Sequence, residues 1–279
     1  YISLGCERVI LAREMSLERI RALHEKVGDG IQLETFVHGA SCMAYSGRCM
    51  LSAYLTGRSG NRGECAQPCR WQYHLMEEKR PGEYFEITEG EHGTYFLNSQ
   101  DMCLIEHIPE LVDAGITSFK IEGRAKSAFY VGAVTNAYRA AIDGYLKDPT
   151  ADYRPEQWIV DEVRKISYRD YCTGFYFGPP EKDAHIYYDG IYIRNWDVIA
   201  NVLSSDGEFV TVTQRNRFFK GDVLEVMSPG VPPFELTVTE MFNEVGEAVD
   251  VAPNPMATIR IRCDRMIPPG SVLRMQKQN

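Results

Sequence analysis

The sequence predicts an α/β domain followed by a small all-β domain. Three observations carry this. Up to residue 179, apolar runs of strand length alternate with amphipathic helical stretches. From residue 180 onward, short strand-like runs follow one another at roughly ten-residue spacing with no helical pattern between them. Residues 38–100 interrupt the alternation with an insert rich in cysteine and glycine.

Taken in order, Glu7 to Ala12 (ERVILA) reads as a buried strand. Ser16 is placed to cap a helix from Leu17 to Lys26, which Gly28 ends. Ile31 to Val37 (IQLETFV) is the next strand, with Leu33 and Thr35 facing one way and Glu34 and Phe36 the other. Strand, helix and strand with short links form a βαβ unit, which implies a parallel sheet. Within the insert, Gln72–Glu78 and Tyr84–Ile87 suggest a hairpin, and Thr94–Leu97 a further strand. Asn98–Asp101 is expected to cap a helix running through Leu111–Ala114 and stopped by Gly115. Ile116–Ile121 is a strand and Glu122-Gly123-Arg124 a tight turn. Ser127–Leu146 is a long helix whose apolar face includes Val131, Val134, Tyr138, Ala141 and Ile142. Pro155–Tyr168 reads as a connecting helix, and the boundary between domains falls near residue 180.

Three βα units are too few to close a (β/α)8 barrel, which needs eight. Either the first half of a barrel lies outside this chain or the sheet is open. The opening YISLGCERVILAREMS, with no initial Met, reads as the interior of a domain, so a piece of a longer protein is expected. No apolar run approaches a membrane span and no signal peptide is evident, so a cytoplasmic protein without a membrane partner is expected. The formal net charge of −9 counts against a broad nucleic-acid-binding surface but leaves room for a local basic patch.

Four of the eight cysteines, Cys42, Cys49, Cys65 and Cys69, fall within 28 residues at the spacing C-x6-C-x15-C-x3-C. Clustered cysteines in a chain of this size, without a secretory signal, point to metal or redox chemistry before disulfides. Thiolates suit iron–sulfur clusters and zinc. The spacing is neither a pair of C-x2-C zinc knuckles nor a ferredoxin run. A long wrapped loop therefore ranks a [4Fe–4S] cluster above Zn, with unligated thiols third. Cys103 is a fifth candidate, expected in the first turn of a helix, where the backbone dipole lowers a thiol pKa. Cys6, Cys172 and Cys263 stand in apolar or aromatic surroundings and read as packing residues.

Parallel sheets put their sites at the C-terminal ends of strands. Glu34 and His38 are expected at one such end, with Glu122 and Arg124 at another, and these four are the catalytic candidates. Arg48 and Arg124 could hold a carboxylate substrate bidentately. Taken singly, Glu122 and Arg124 could be a strand-end ion pair and His38 a structural histidine. No G-x-S-x-G, H-E-x-x-H, G-x-G-x-x-G or P-loop pattern is present. In the β tail, Gln214–Gly221 (QRNRFFKG) and the arginines Arg260, Arg262 and Arg265 form two basic patches. With Phe218 and Phe219 they could grip RNA and stack a base, or they could be solvated strand edges.

ETFVHGASCMAYSGRCMLS resembles the signature of peptidase family U32, the collagenase-like protease family. GECAQPCRW, HGTYFLNSQDM, IPELVDAGITSFKIEGR and KGDVLEVMSP match in order, so the resemblance covers essentially the whole chain. It implies a (β/α)8 barrel, whose N-terminal half precedes these residues, followed by a small β-barrel. It also implies oxygen-independent hydroxylation: of wobble uridine in tRNA with prephenate as co-substrate, of an rRNA cytidine, or in ubiquinone synthesis. The tRNA branch is the most similar. The resemblance implies a [4Fe–4S] cluster on Cys42, Cys49, Cys65 and Cys69, with Cys103 one thiol more than a cluster needs. The alternatives are a metal-dependent collagenase-like peptidase and a non-catalytic, zinc-stabilised RNA-binding protein.

Overall fold

A computed structural model describes residues 1–41, 49–71, 89–90, 93–94, 99–178 and 192–277. The chain forms two compact units. One comprises Tyr1–Ala125, Asp148–Arg154 and Tyr168–Ile193; the other comprises Lys126–Lys147, Pro155–Ser167 and Arg194–Asn279.

The first unit opens with the expected βαβ arrangement: β1 (Arg8–Ile10), α1 (Leu17–Val27) and β2 (Gln32–Ala40). Ser16 Oγ accepts from Arg19 N at 3.4 Å, satisfying one of the helix's orphan donors. Gly28 follows the last helical residue, and its N–H returns to His24 O. After α2 (Leu51–Thr56) come β3 (Glu89–Gly90), β4 (Gly93–Thr94), β5 (Asp101–Cys103), α3 (Ile108–Asp113), β6 (Ile116–Ile121) and β7 (Tyr171–Cys172). The hairpin expected at Gln72–Glu78 and Tyr84–Ile87 lies outside the described residues.

β1 pairs in parallel with Gln32–Glu34 of β2, and β6 runs parallel along Leu33–His38. β5 pairs antiparallel with His38–Ala40, and β7 pairs in parallel with β5. Glu34 is thus paired to both β1 and β6, and His38 to both β5 and β6. It follows that β1 and β5 share one edge of β2 while β6 holds the other. Leu33, Thr35 and Val37 are buried; Gln32, Glu34 and Phe36 are more exposed, as the alternation predicts. Leu33 and Val37 belong to a core with Ile20, Ile105, Ile108, Leu111 and Ile116. Full burial of each such side chain contributes about 1.5–3 kcal/mol.

The helix expected to start at Asn98–Asp101 starts later, at Ile108. Asp101 does not cap it. Its carboxylate is buried and accepts from Arg169 Nη2 at 2.7 Å and Nε at 3.2 Å, while its own N–H bonds Asp170 O. Pro109, which lacks an N–H, fits only the first helical turn and marks the true start. Cys103 therefore lies on a strand, and no helix dipole acts on its thiol.

The second unit holds α4 (Ala128–Lys147), α5 (Gln157–Glu162), β8 (Trp196–Ser205), β9 (Phe209–Gln214), β10 (Phe218–Phe219), β11 (Val223–Met227), β12 (Phe234–Thr237), β13 (Met241–Phe242), β14 (Val251–Ala252), β15 (Thr258–Arg262) and β16 (Val272–Gln276). Ser127 Oγ accepts from Tyr130 N at 3.2 Å at the start of α4. The buried face of α4 is Tyr130, Ala133, Val134, Ala137, Tyr138 and Ala141. Val131, expected on that face, is 42% exposed. The small alanines, not the larger Val131, define the buried stripe. α5 is a shorter helix than the Pro155–Tyr168 pattern suggested.

Seven strands form an antiparallel sheet in the order β12-β11-β16-β8-β9-β15-β13. Its two edge strands are consecutive in the chain, with only Val238–Glu240 between them. Laid flat, seven strands would spread over roughly 29 Å at about 4.8 Å per step. A link that short spans at most about 14 Å. The sheet must curl until its edges approach. The curl encloses a core of Ile199, Val210, Val212, Leu224, Val226, Ile259, Ile261 and Leu273 with buried Phe218. On the sheet's other face lies an ionic group: Glu225, which alternates with core Leu224 and Val226, is the cross-strand partner of Arg274. Arg274, fully buried, donates to Glu162 Oε2 at 3.0 Å and to Glu225 Oε1 at 2.8 Å, and Lys165 Nζ lies 2.8 Å from Glu225. No helix among the described residues is long and apolar enough to cross a membrane.

Candidate functional site

The cysteine loop begins where β2 ends. Cys42 and Arg48 lie outside the described residues. Cys49 stands two residues before α2, and Cys65 and Cys69 follow on the returning chain. That return is tied to α2 by buried Ser52, whose Oγ accepts from Ala66 N at 3.0 Å. Cys65 Sγ accepts from Gln67 N at 3.3 Å, and a β-carbon at Gly60 would stand 3.6 Å from that sulfur. Backbone N–H bonds to sulfur are among the contacts that tune cysteine-held clusters. The donor chemistry fits a thiolate-held cluster. Among the described residues no three metal-binding side chains converge on one point.

His38 is fully buried at the end of β2. Cys103 is its cross-strand partner on β5 and Ile121 on β6. Tyr171 Oη lies 3.5 Å from His38 Nε2, with ring centroids 5.3 Å apart, and Tyr168 stacks on Tyr171 at 4.9 Å. His38 O accepts from Glu122 N at 2.9 Å. The next residue, Gly39, has φ +118°, and a β-carbon there would stand 2.5 Å from Glu122 O. Only glycine admits both that backbone angle and that approach. The turn after β6 is therefore pressed onto the end of β2.

Glu122 Oε1 accepts from Arg124 N at 3.2 Å. The Arg124 guanidinium reaches the cysteine loop and lies against Gly63, at φ +80°, where any β-carbon would collide with it. His38, Glu122, Arg124, Cys103 and the Cys65 segment are thus brought into one region of the first unit.

Glu34 is placed differently. β2 continues to Ala40, so Glu34 lies at mid-strand rather than at the strand's end with His38. Its carboxylate accepts from Ser118 Oγ at 2.7 Å and pairs with Lys120 at 3.2 Å and Arg8 at 3.4 Å. The Ser118 hydrogen bond, helped by Lys120 and Arg8, holds its carboxyl below the usual range despite burial. That is the environment of a fixed anion rather than of a base that takes up protons at neutral pH.

Arg13 was not singled out by the sequence. It follows β1, donates to Ala40 O at 2.5 Å and stacks over the Phe36 ring at 4.0 Å. Its position just past a strand's C-terminal end was the available signal. Cys172 is a packing residue, as expected: burial pushes its thiol up and keeps it protonated.

In the second unit, Arg262 pairs with Glu208 at 3.0 Å and Arg260 with Asp206 at 3.9 Å, both beside the Phe209 ring. Phe218 is fully buried, so it cannot stack a base. Two arginines of the RIRCDR patch are thus neutralised by acids, and the third, Arg265, lies over the Phe234 ring at 4.8 Å.

The model of peptidase family U32 matches residues 1–186, and that of the family's C-terminal domain matches residues 194–274. This chain belongs to peptidase family U32. As a U32 chain it is 38% identical over 275 residues to the tRNA hydroxylation protein P1 of Bacillus subtilis, covering 98% of this chain and 64% of that protein. It is 36% identical over 171 residues to a 23S rRNA 5-hydroxycytidine synthase of Escherichia coli, covering 60% and 25%. It is 34% identical over 187 residues to a collagenase of Porphyromonas gingivalis, covering 64% and 44%. The chain spans less than two-thirds of the length of each.

Proposed function

We propose that this chain is part of an RNA-hydroxylating enzyme acting on tRNA wobble uridine, with a [4Fe–4S] cluster and prephenate as co-substrate. The observation that carries the reading is the match along 98% of the chain to a tRNA hydroxylation protein. The gathering of His38, Glu122 and Arg124 beside the thiol loop supports it. Cys42, Cys49, Cys65 and Cys69 would hold the cluster, and Cys103, fixed on β5 beside His38, would serve the substrate side. When bound, such a cluster supplies one-electron and Lewis-acid chemistry. A (β/α)8 barrel completed by the rest of the protein would enclose the site.

The chain's own residues bind and orient. Arg124 presents a planar pair of donors to a carboxylate of prephenate, and Arg48 a second. His38, with Tyr171 against Nε2, holds or moves a proton at that nitrogen. Glu122 is fixed by the Arg124 N–H. The target base must leave its stack to reach the strand ends.

Nucleoside mass spectrometry of tRNA from a deletion strain tests the reading. Loss of hydroxyuridine, restored by the full-length gene, is expected; unchanged hydroxyuridine in a strain without a paralogue overturns it. A collagenase-like peptidase is the second reading, favoured by the Porphyromonas relative. It predicts gelatin cleavage by pure metal-loaded protein, lost on Cys65→Ser.

A further inference from the structure

The segment Gln214–Gly221 carries three cations and no acid in a chain of formal net charge −9. It is held rigidly. Gln214 is fully buried, and its Nε2 donates to Asn216 O at 3.2 Å and Ala252 O at 2.5 Å. Arg215 N and Asn216 N both donate to Ile199 O, at 2.7 and 3.1 Å. Asn216 Nδ2 donates to Val198 O at 2.7 Å. Phe218 is locked into the core, while Phe219 beside it is 48% exposed.

Arg217, just before β10, and Phe219, on it, are both exposed on either side of buried Phe218. Phe219 N is fixed by Asp222 Oδ2 at 2.7 Å, and across β10–β14 Phe219 faces half-exposed Val251. Arg260 and Arg262 are paired to acids; Arg217 has no ion pair among the described residues. Lys220 is shared with Asp250 at 3.7 Å and counts for less.

We infer that this edge of the second unit is a single-stranded RNA contact, with Phe219 stacking an unpaired base and Arg217 holding an adjacent phosphate. A rigid, half-exposed ring beside uncompensated arginine is the pairing that sequence-tolerant single-strand binding uses. The inference rests on the RNA reading above, but the residues lie outside the site that would perform the chemistry.

The test is binding of unmodified tRNA by the full-length protein, by fluorescence anisotropy across a salt series. Phe219→Ala and Phe219→Leu should both weaken binding by about fivefold or more, because leucine keeps apolar area without a stacking face. Arg217→Gln should lower the salt slope by about 0.7. Arg260→Gln, which removes an already neutralised charge, should match wild type. Wild-type binding with all variants unchanged overturns this contact and leaves the RNA reading standing. Wild-type protein that binds no tRNA overturns both. Equal weakening by Phe219→Ala and Arg260→Gln also overturns it, since a diffuse charge effect or misfolding would then explain the loss.

Discussion

Each unit buries an arginine: Arg169 against Asp101 in the first, Arg274 against Glu162 and Glu225 in the second. Arg274 lies on one face of the second unit's sheet, while the alternate strand residues build an apolar core on the other. Around Arg169 the first unit does something else. It directs His38, Glu122, Arg124 and a thiol loop to the ends of parallel strands, and uses glycines at 39 and 63 to let backbone and guanidinium approach. The second unit's buried charge is a structural clamp. The first unit's clamp holds β5 and β7 in place beside His38, so it serves the site. The lesson is that similar buried charges carry different consequences, and substitutions separate them.

The largest effect is expected in the first unit's loop. Cys65→Ser in the full-length protein should reduce tRNA hydroxylation by more than the roughly 10–100-fold that follows when the outer shell of a metal site is disturbed. Unfolding of the second unit should not change. A variant with full activity would erase the proposed contrast.

Next comes Arg274→Met. It leaves buried Glu162 and half-buried Glu225 with Lys165 as their remaining cation, and stability measured by urea denaturation should fall by about 3 kcal/mol. Metal content should be unaltered. A loss below about 1 kcal/mol would show that the network is not a clamp.

Tyr176→Phe is a smaller change. Tyr176 Oη donates to Phe36 O at 2.6 Å and bonds Thr35 Oγ1. Losing these should cost about 1–3 kcal/mol. Burial pushes the Tyr176 hydroxyl up to about 12. The folded state thus favours the neutral phenol. Stability is intact below the unfolded value of about 10 and falls as pH rises from there to about 12. The phenylalanine variant should lack that alkaline loss.

Glu34→Gln should have the smallest effect, under about 1 kcal/mol at neutral pH. Because the folded carboxyl is depressed, its contribution is present above the usual carboxylate range and lost as pH falls through the folded value. Salt should weaken it. A large loss of activity with unchanged stability would instead make Glu34 a catalytic group.

Local rules made much of the first unit legible. Ser16, Gly28 and Gly115 bracket helices, and Ile116–Ile121 was read to the residue. What failed was non-local. β2 runs on through His38–Ala40 because β5 pairs there, a contact more than sixty residues away that no local pattern carries. Asp101 looks like a cap until Arg169 claims it. Of the site, His38, Glu122 and Arg124 were legible as strand-end residues. Arg13 was not, because its partners are a distant carbonyl and ring. Phe218 and Phe219 look alike in sequence, and only the fold buries one and exposes the other.

Metal analysis is the sharpest test of the proposal that the thiol loop holds a cluster. Full-length protein purified without oxygen should contain about four iron and four acid-labile sulfide per chain, and Cys42→Ser, Cys49→Ser, Cys65→Ser and Cys69→Ser should each lower both. About one zinc per chain with no labile sulfide would contradict it.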